Sequence, residues 1–310
     1  MAVTAQMVKE LRQMTGAGMM DCKKTLVEAD GNMDKAVELL REKGLAKAAK
    51  KAGRVAAMGL VKVAFSADGK SAGVVEVNSE TDFVAKNQDF IDFVQTLADM
   101  ALNTDVKDMD AFSALPYAGE GEGTVTDALN SKIATIGENM NVRRFKKLAT
   151  PGVVYTGYIH GNGTIGAIVG LKTEATAEEI AVVGKDVAMQ VASMNPQFVD
   201  ETGVDPVFLE KEKEILTQLV INEGKKPEMV DKIVAGKLKK EIKEYCLVEQ
   251  KFVKNSDFTV KQYVAEAGKE IGKEMTVVEM VRFQVGEGIE KKEEDFAAEV
   301  AAQQAAAAGK

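Results

Sequence analysis

The residues best equipped for chemistry are one histidine, two cysteines and one glycine-rich turn. His160 is the only histidine of the chain. Charge-relay catalysis and imidazole metal sites each need partners at definable spacings, and His160 has none. Its place predicts an exposed hairpin tip. Cys22 and Cys246 provide neither a disulfide framework nor a metal-ligand spacing. "GNGTIG", residues 161–166, matches the dinucleotide-binding glycine pattern. That pattern works when a helix N-terminus follows and faces a pyrophosphate. Here the β-like "AIVGLK" follows, so the glycines predict a hairpin turn. No phosphate loop ending in Gly-Lys-Ser or Gly-Lys-Thr occurs in the sequence. The many Asp and Glu residues fall on polar faces of predicted helices, their usual place. Nothing here builds a catalytic constellation, and no enzyme, cofactor or metal is expected.

What remains is recognition. "TDFV", residues 81–84, places a capping threonine, an acid and an aromatic where an alternating strand pattern gives way to a helical one. A helix over about 82–102 puts Phe83 on one face with Phe90, Val94, Leu97 and Ala101, so periodicity alone predicts burial. Met19 and Met20 are adjacent and lie about 100° apart on a helix. They read either as one core and one rim residue or as a methionine-rich docking surface.

The surrounding elements bound these alternatives. The chain has 310 residues, 45% hydrophobic and 28% charged, enough for two or three domains. Aromatics make up 5% with no Trp, and the net charge is −8, so base stacking and phosphate binding are both disfavoured. No direct nucleic-acid partner is expected. The N-terminus lacks a signal-peptide core and no run reaches 18 apolar residues, which predicts a cytoplasmic protein without a membrane partner.

The chain divides into five parts. Residues 1–54 read as three short helices and a linker. Thr4 caps the first, Asn32 the third, and Gly44 closes it before the basic "LAKAAKKAGR". Residues 55–150 open with a hairpin at Asp68-Gly69 and continue into the helix after "TDFV", a Gly/Glu-rich loop, a helix of about 125–138 and the strand "NVRRFKKLA". Residues 151–204 repeat hairpin and helix, the helix over about 176–194. Residues 205–250 are two charged amphipathic helices around "NEGKKP", an antiparallel hairpin arm. Residues 251–310 hold a returning strand, "MTVVEMVRFQVGEG", and an Ala-rich helical tail.

An offset of 93 residues relates the two hairpin–helix units. It places Gly73 on Gly166, Val75 on Ile168, and Phe90, Val94, Ala98 and Ala101 on Val183, Val187, Val191 and Met194. The fold class is therefore α+β: a duplicated antiparallel sheet-plus-helix core with helical modules at both ends and an inserted coiled-coil arm. At the same offset Phe83 meets Thr176, within Glu174–Ala177, where no large apolar residue stands. The aromatic belongs to the first copy alone, which argues for function.

Two long stretches, "LRQMTGAGMMDCKKTLVEADGNMDKAVELLREKG" and "EVNSETDFVAKNQDF", closely resemble the signatures of the bacterial elongation factor Ts family. "IGENMNVRR", "YIHGNGTIG" and "VRFQVGEGIEK" extend the resemblance over nearly the whole chain. It implies a nucleotide-exchange factor for elongation factor Tu, the GTPase that carries aminoacyl-tRNA to the ribosome. It also implies that the N-terminal helices form a ubiquitin-associated-like module docking on that GTPase. The tip Thr81, Asp82, Phe83 and Val84 would enter near the nucleotide and dislodge its Mg²⁺. Arg12, Met19, Met20, His160 and Val253 match docking positions, whereas Lys254 stands where the family pattern has methionine. The resemblance leaves room for two factor–GTPase pairs to associate. The alternative from the residues alone is a ubiquitin-associated-like scaffold or chaperone without effect on nucleotide.

Overall fold

The computed structural model describes residues 3–15, 17–119 and 123–290. The expected Ala-rich tail, residues 291–310, lies outside them. Three helices come first: α1 (Ala5–Thr15), α2 (Met19–Glu28) and α3 (Met33–Lys51). Val8, Leu11, Cys22, Leu26, Ala29 and Ala36 form their small core. Thr4 Oγ1 accepts from the Met7 N–H, and the Asn32 side chain caps α3 by accepting from the Lys35 N–H.

Gly44 does not end α3, which continues through most of the expected linker to Lys51. A glycine inside a helix costs about 1 kcal/mol relative to alanine. Gly44 faces a later helix at contact distance: a Cβ there would lie 3.4 Å from the Ala134 Cβ. Ala48 is buried in the core of the next unit, and Arg41 pairs with Asp127 at 2.6 Å. The last turns of α3 thus fasten the helical module to the sheet domain.

β1 (Met58–Phe65) and β2 (Ala72–Ser79) form the first hairpin, in register from Met58↔Ser79 to Phe65↔Ala72. A one-turn helix α4 (Asp82–Ala85), then α5 (Gln88–Asn103), a short α6 (Met109–Ser113) and α7 (Val125–Ile136) follow. β3 (Met140–Leu148) returns antiparallel to β2, giving the order β1-β2-β3. The second hairpin is β4 (Val153–His160) and β5 (Ile165–Lys172). Its helix α8 (Ala181–Met194) begins later than residue 176 because Thr176 and Glu179 close a separate turn first.

The arm is α9 (Pro206–Asn222) and α10 (Pro227–Tyr245), joined around Gly224 at φ +71°. Leu216, Val220, Val230 and Val234 form its seam. Ile215, Leu219, Ile221 and Met229 stay exposed, so the arm carries more open apolar surface than a single satisfied stripe on each helix would leave. A small ribbon, β6 (Lys251–Phe252) and β7 (Asn255–Thr259), and a helix α11 (Val260–Ile271) precede β8 (Thr276–Gln284). β8 joins β5, so the second sheet has the order β4-β5-β8.

The two sheets lie face to face, with Val61, Val74, Tyr155, Ile168, Val281 and Phe283 between them. Helices cover their outer faces, which is why every residue of β2 is buried. Because successive strand residues face opposite ways, the offset of 93 fails in the strands. Val75 packs under α5, whereas Ile168 lies between the sheets. A Cβ on Gly73 would strike the Leu102 N of α5 at 2.4 Å, and one on Gly166 the Val61 side chain of β1 at 2.4 Å. Phe90, Val94 and Ala98 do share burial with Val183, Val187 and Val191, but Met194 is exposed where Ala101 is buried.

A buried carboxylate links the sheets. A register shift between β2 and β3 pairs Glu76 with Arg144 and Val77 with Val142, leaving Arg143 as the extra residue of a bulge. Both arginines therefore reach Glu76, Arg143 at 3.0 Å and Arg144 at 2.6 Å. The Gly286 N–H, just beyond β8, donates to the same carboxylate at 2.9 Å.

Candidate functional site

The helix expected over 82–102 is broken, and the break decides where Phe83 goes. The Asn87 side chain caps α5 by accepting from the Asp89 N–H at 2.8 Å, so residues 82–85 form a helical turn of their own. Phe83 consequently does not share the buried face of Phe90, Val94, Leu97 and Ala101. It is 78% exposed, whereas Val84 beside it is 6% exposed and joins the core beneath α5. Val84 thus anchors the turn, with little of its own surface left open.

Four residues cannot hold a helical turn unaided, because nucleation fixes several dihedrals for one hydrogen bond. Thr81 supplies the cap: its Oγ1 accepts from the Val84 N–H at 3.4 Å. Thr81 is held in turn by Glu138, whose carboxylate accepts from the Thr81 N–H at 2.9 Å and from its hydroxyl at 2.7 Å. The Ser79 hydroxyl donates to the Thr81 carbonyl at 2.9 Å. On the exposed side, Asp82 pairs with Lys86 at 2.6 Å, and the Lys86 ammonium lies 5.8 Å from the Phe83 ring centroid. Lys86, by hydrogen bond and charge, holds the Asp82 carboxyl below its ordinary value. An ionised acid and an open aromatic ring therefore share one rigid turn. Such a turn can wedge into another protein.

The N-terminal helices present a second surface. Met19 and Met20 are 58% and 60% exposed at the start of α2, and Met14 and Arg12 are exposed on α1. Neither methionine of the pair is a core residue. The core positions of α2 are Cys22, Thr25 and Leu26, so Met19 and Met20 both fall off the buried side.

A third surface lies on the second unit. "GNGTIG" is a tight hairpin turn in which Gly161, Asn162 and Gly163 have φ of +57°, +55° and +97°, and β5 follows directly. His160 sits exposed at the end of β4, with Nδ1 3.1 Å from the Tyr158 hydroxyl. Val253 is exposed in the turn between β6 and β7, its N–H donating to the fully buried Gln190 at 2.8 Å. Lys254 reaches across to Asp186 at 2.6 Å, and Asp186 also accepts from the Tyr263 hydroxyl at 2.9 Å. Tyr158, Asp186 and Lys254 line one shallow cleft with Ala181 and Val182, which brings the His160 and Val253 turns to the same region. The half-exposed lysine at 254 is thus paired within the chain to Asp186.

The tip, the methionine pair and this cleft lie on three parts of the fold, so the candidate site is a set of surfaces. Sequence reasoning missed Glu138 and Gln190, which support these surfaces from behind. The only signal of Glu138 was its place in "IGENMNVRR", since its partner is 57 positions away.

Comparison with known proteins agrees in one direction. The profile described as "Elongation factor TS" matches residues 80–287. Elongation factor Ts of Clostridioides difficile (strain 630) is 57% identical over 302 residues, covering 97% of this chain and 98% of the relative. Those of Clostridium tetani (strain Massachusetts / E88) and Clostridium novyi (strain NT) are 54% and 53% identical, each over 298 residues. Both alignments cover 96% of this chain, with 98% of the first relative and 97% of the second.

Proposed function

Because this chain belongs to the elongation factor Ts family, we propose that it is the guanine nucleotide exchange factor of a cytoplasmic elongation factor Tu. The helical module, residues 1–54, docks through Arg12, Met19 and Met20, and the second unit docks through His160 and Val253. Thr81, Asp82 and Phe83 then enter near the nucleotide and dislodge the Mg²⁺ held by the GTPase. The observation that carries this reading is Phe83, 78% exposed on a turn anchored by Val84 and Glu138.

The mechanism follows from linkage. GTPases hold GDP largely through its phosphates, the phosphate loop and Mg²⁺. A tip that displaces the supports of the metal removes part of that stabilisation. Whatever the factor takes from GDP affinity, GDP takes equally from factor affinity. Mutual weakening lets either nucleotide expel the factor in turn, so exchange is faster while the overall equilibrium stands. The factor makes and breaks no covalent bond.

The test is release of labelled GDP from purified elongation factor Tu in excess free GTP, with this chain at a small fraction of the GTPase concentration. The proposal expects release of all the bound GDP, each factor molecule serving many GTPases. Binding without faster release would favour the scaffold reading and overturn this one.

A further inference from the structure

We propose that Glu138 is the positioning residue of the exchange tip, holding Phe83 and Asp82 in their projecting geometry through both polar groups of Thr81. This inference rests on the exchange reading above and adds to it where the geometry of the tip originates.

The hydroxyl of Thr81 both donates and accepts. A threonine hydroxyl has one proton to donate and lone pairs to accept. Its proton goes to Glu138 Oε1 at 2.7 Å, which leaves a lone pair directed at the Val84 N–H to complete the cap of α4. The Thr81 N–H is taken by the other oxygen, Glu138 Oε2, at 2.9 Å. One carboxylate therefore fixes both the backbone and the side chain at the single residue where α4 begins. With Val84 seated in the core, the turn is held at its start and at its inner face, and Phe83 is left outward.

Glu138 is itself held. Gly137 ends α7 at φ +94°, a left-handed conformation that glycine adopts without strain, and swings Glu138 and Asn139 toward residues 80 and 81. The Asn139 side chain donates to the Arg54 carbonyl at 2.7 Å, and its N–H donates to the Glu80 carboxylate. Arg54 closes the circuit with Glu80 at 3.6 Å. The Glu138-Asn139 pair thus stands between the tip and the segment that leads away from α3, the helix that carries the methionine module. Tip and docking module are referred to one hydrogen-bonded loop, which lowers the cost of ordering the tip at the partner.

Full-length Glu138→Ala, Glu138→Gln, Glu138→Asp and Phe83→Ala would be compared by stopped-flow GDP release from elongation factor Tu. Each is run over a range of factor concentrations, with melting temperature recorded. A mispositioned reacting group typically loses on the order of tenfold or more in rate. Glu138→Ala is therefore expected to lower the maximal release rate at least about fivefold, with a half-saturating concentration within about twofold of the parent. Glu138→Gln should recover most of that loss, because its carbonyl accepts from the Thr81 N–H and its amide donates to Oγ1. Unchanged maximal release in Glu138→Ala, or a loss that Glu138→Gln shares in full, overturns the proposal. Should Glu138→Ala fail to fold, Glu138→Asp, whose carboxylate is one methylene short of Thr81, decides: slower maximal release supports positioning, and parental release overturns it. Phe83→Ala separates the two readings. If it alone slows release, only the positioning role falls; if it too releases GDP at the parental rate, the exchange tip itself is wrong.

Discussion

Phe83 and Val84 are neighbours in sequence and opposites in the fold: one ring stands in solvent while the next side chain closes the core under α5. The turn that separates them exists because Asn87 starts a new helix, and its cap is tied to a distant carboxylate. Rigidity beneath and exposure above are the two properties a wedge requires.

Val84 should behave as a core residue. Burying a valine side chain contributes about 1.5–3 kcal/mol. Val84→Ala is expected to lose about 1–3 kcal/mol of stability, cavity cost included. Thermal melting checks this, and a melting curve matching the parent would show that the turn is not anchored there.

Glu76 should be indispensable to the seam between the sheets. It is wholly buried and neutralises Arg143 and Arg144, and removing one member of a buried ion pair typically costs about 3–5 kcal/mol. Glu76→Ala is expected to fall in or near that range in urea unfolding. A loss below about 1 kcal/mol, the worth of an exposed pair, would contradict the described contacts.

Both thiols should be inert in the folded protein. Cys22 and Cys246 are buried, burial pushes the Cys22 thiol up, and burial with the nearby Glu201 and Asp200 pushes Cys246 up to about 11 from 9.0. A folded pKa raised above the unfolded one favours the native state below pH 9 and loses that contribution as pH climbs through 9 toward 11. Stability is expected to decline over that window, less steeply in Cys246→Ala. Rapid modification by a disulfide reagent at pH 8 in native buffer would contradict the burial.

The arm should be separable from exchange. Phe208 meets Phe198 and Tyr245 edge to face at its base, and the Gln197 and Phe198 N–H groups donate to the Tyr245 carbonyl at 2.9 and 3.1 Å. Replacing residues 210–243 by a short Gly-Ser loop spares that base. The shortened protein is expected to fold and keep most of its exchange rate. A fall beyond about 100-fold, about 2.7 kcal/mol of barrier, would assign the arm a direct part.

Local signals carried well in this sequence. Asp68-Gly69 gave the first hairpin and the β-like run after "GNGTIG" gave the second, because turn chemistry and period two are written within a few residues. Events decided at a distance were not legible. Gly44 reads as a stop, yet α3 runs on to Lys51, its later turns packed on the sheet domain through Ala48 and Arg41. The pairing of the sheets flips the meaning of the 93-residue offset, and only the facing sheet reveals it. Periodicity put Phe83 in the core because it cannot register a cap such as Asn87 inside a continuous apolar pattern. Glu138 could not be tied to Thr81 without the fold that joins them.

The most direct test is Phe83→Ala, scored for both stability and GDP release. Burial would make this truncation cost about 3–5 kcal/mol, while an exposed position changes stability by less than about 0.5 kcal/mol. The expected result is a melting temperature close to the parent and GDP release from elongation factor Tu slowed at least about tenfold, or about 1.4 kcal/mol of barrier. Thr176→Ala, the residue the 93-residue offset places opposite Phe83, should slow nothing. A Phe83→Ala protein that melts like the parent and releases GDP at the parental rate would contradict the account at its centre.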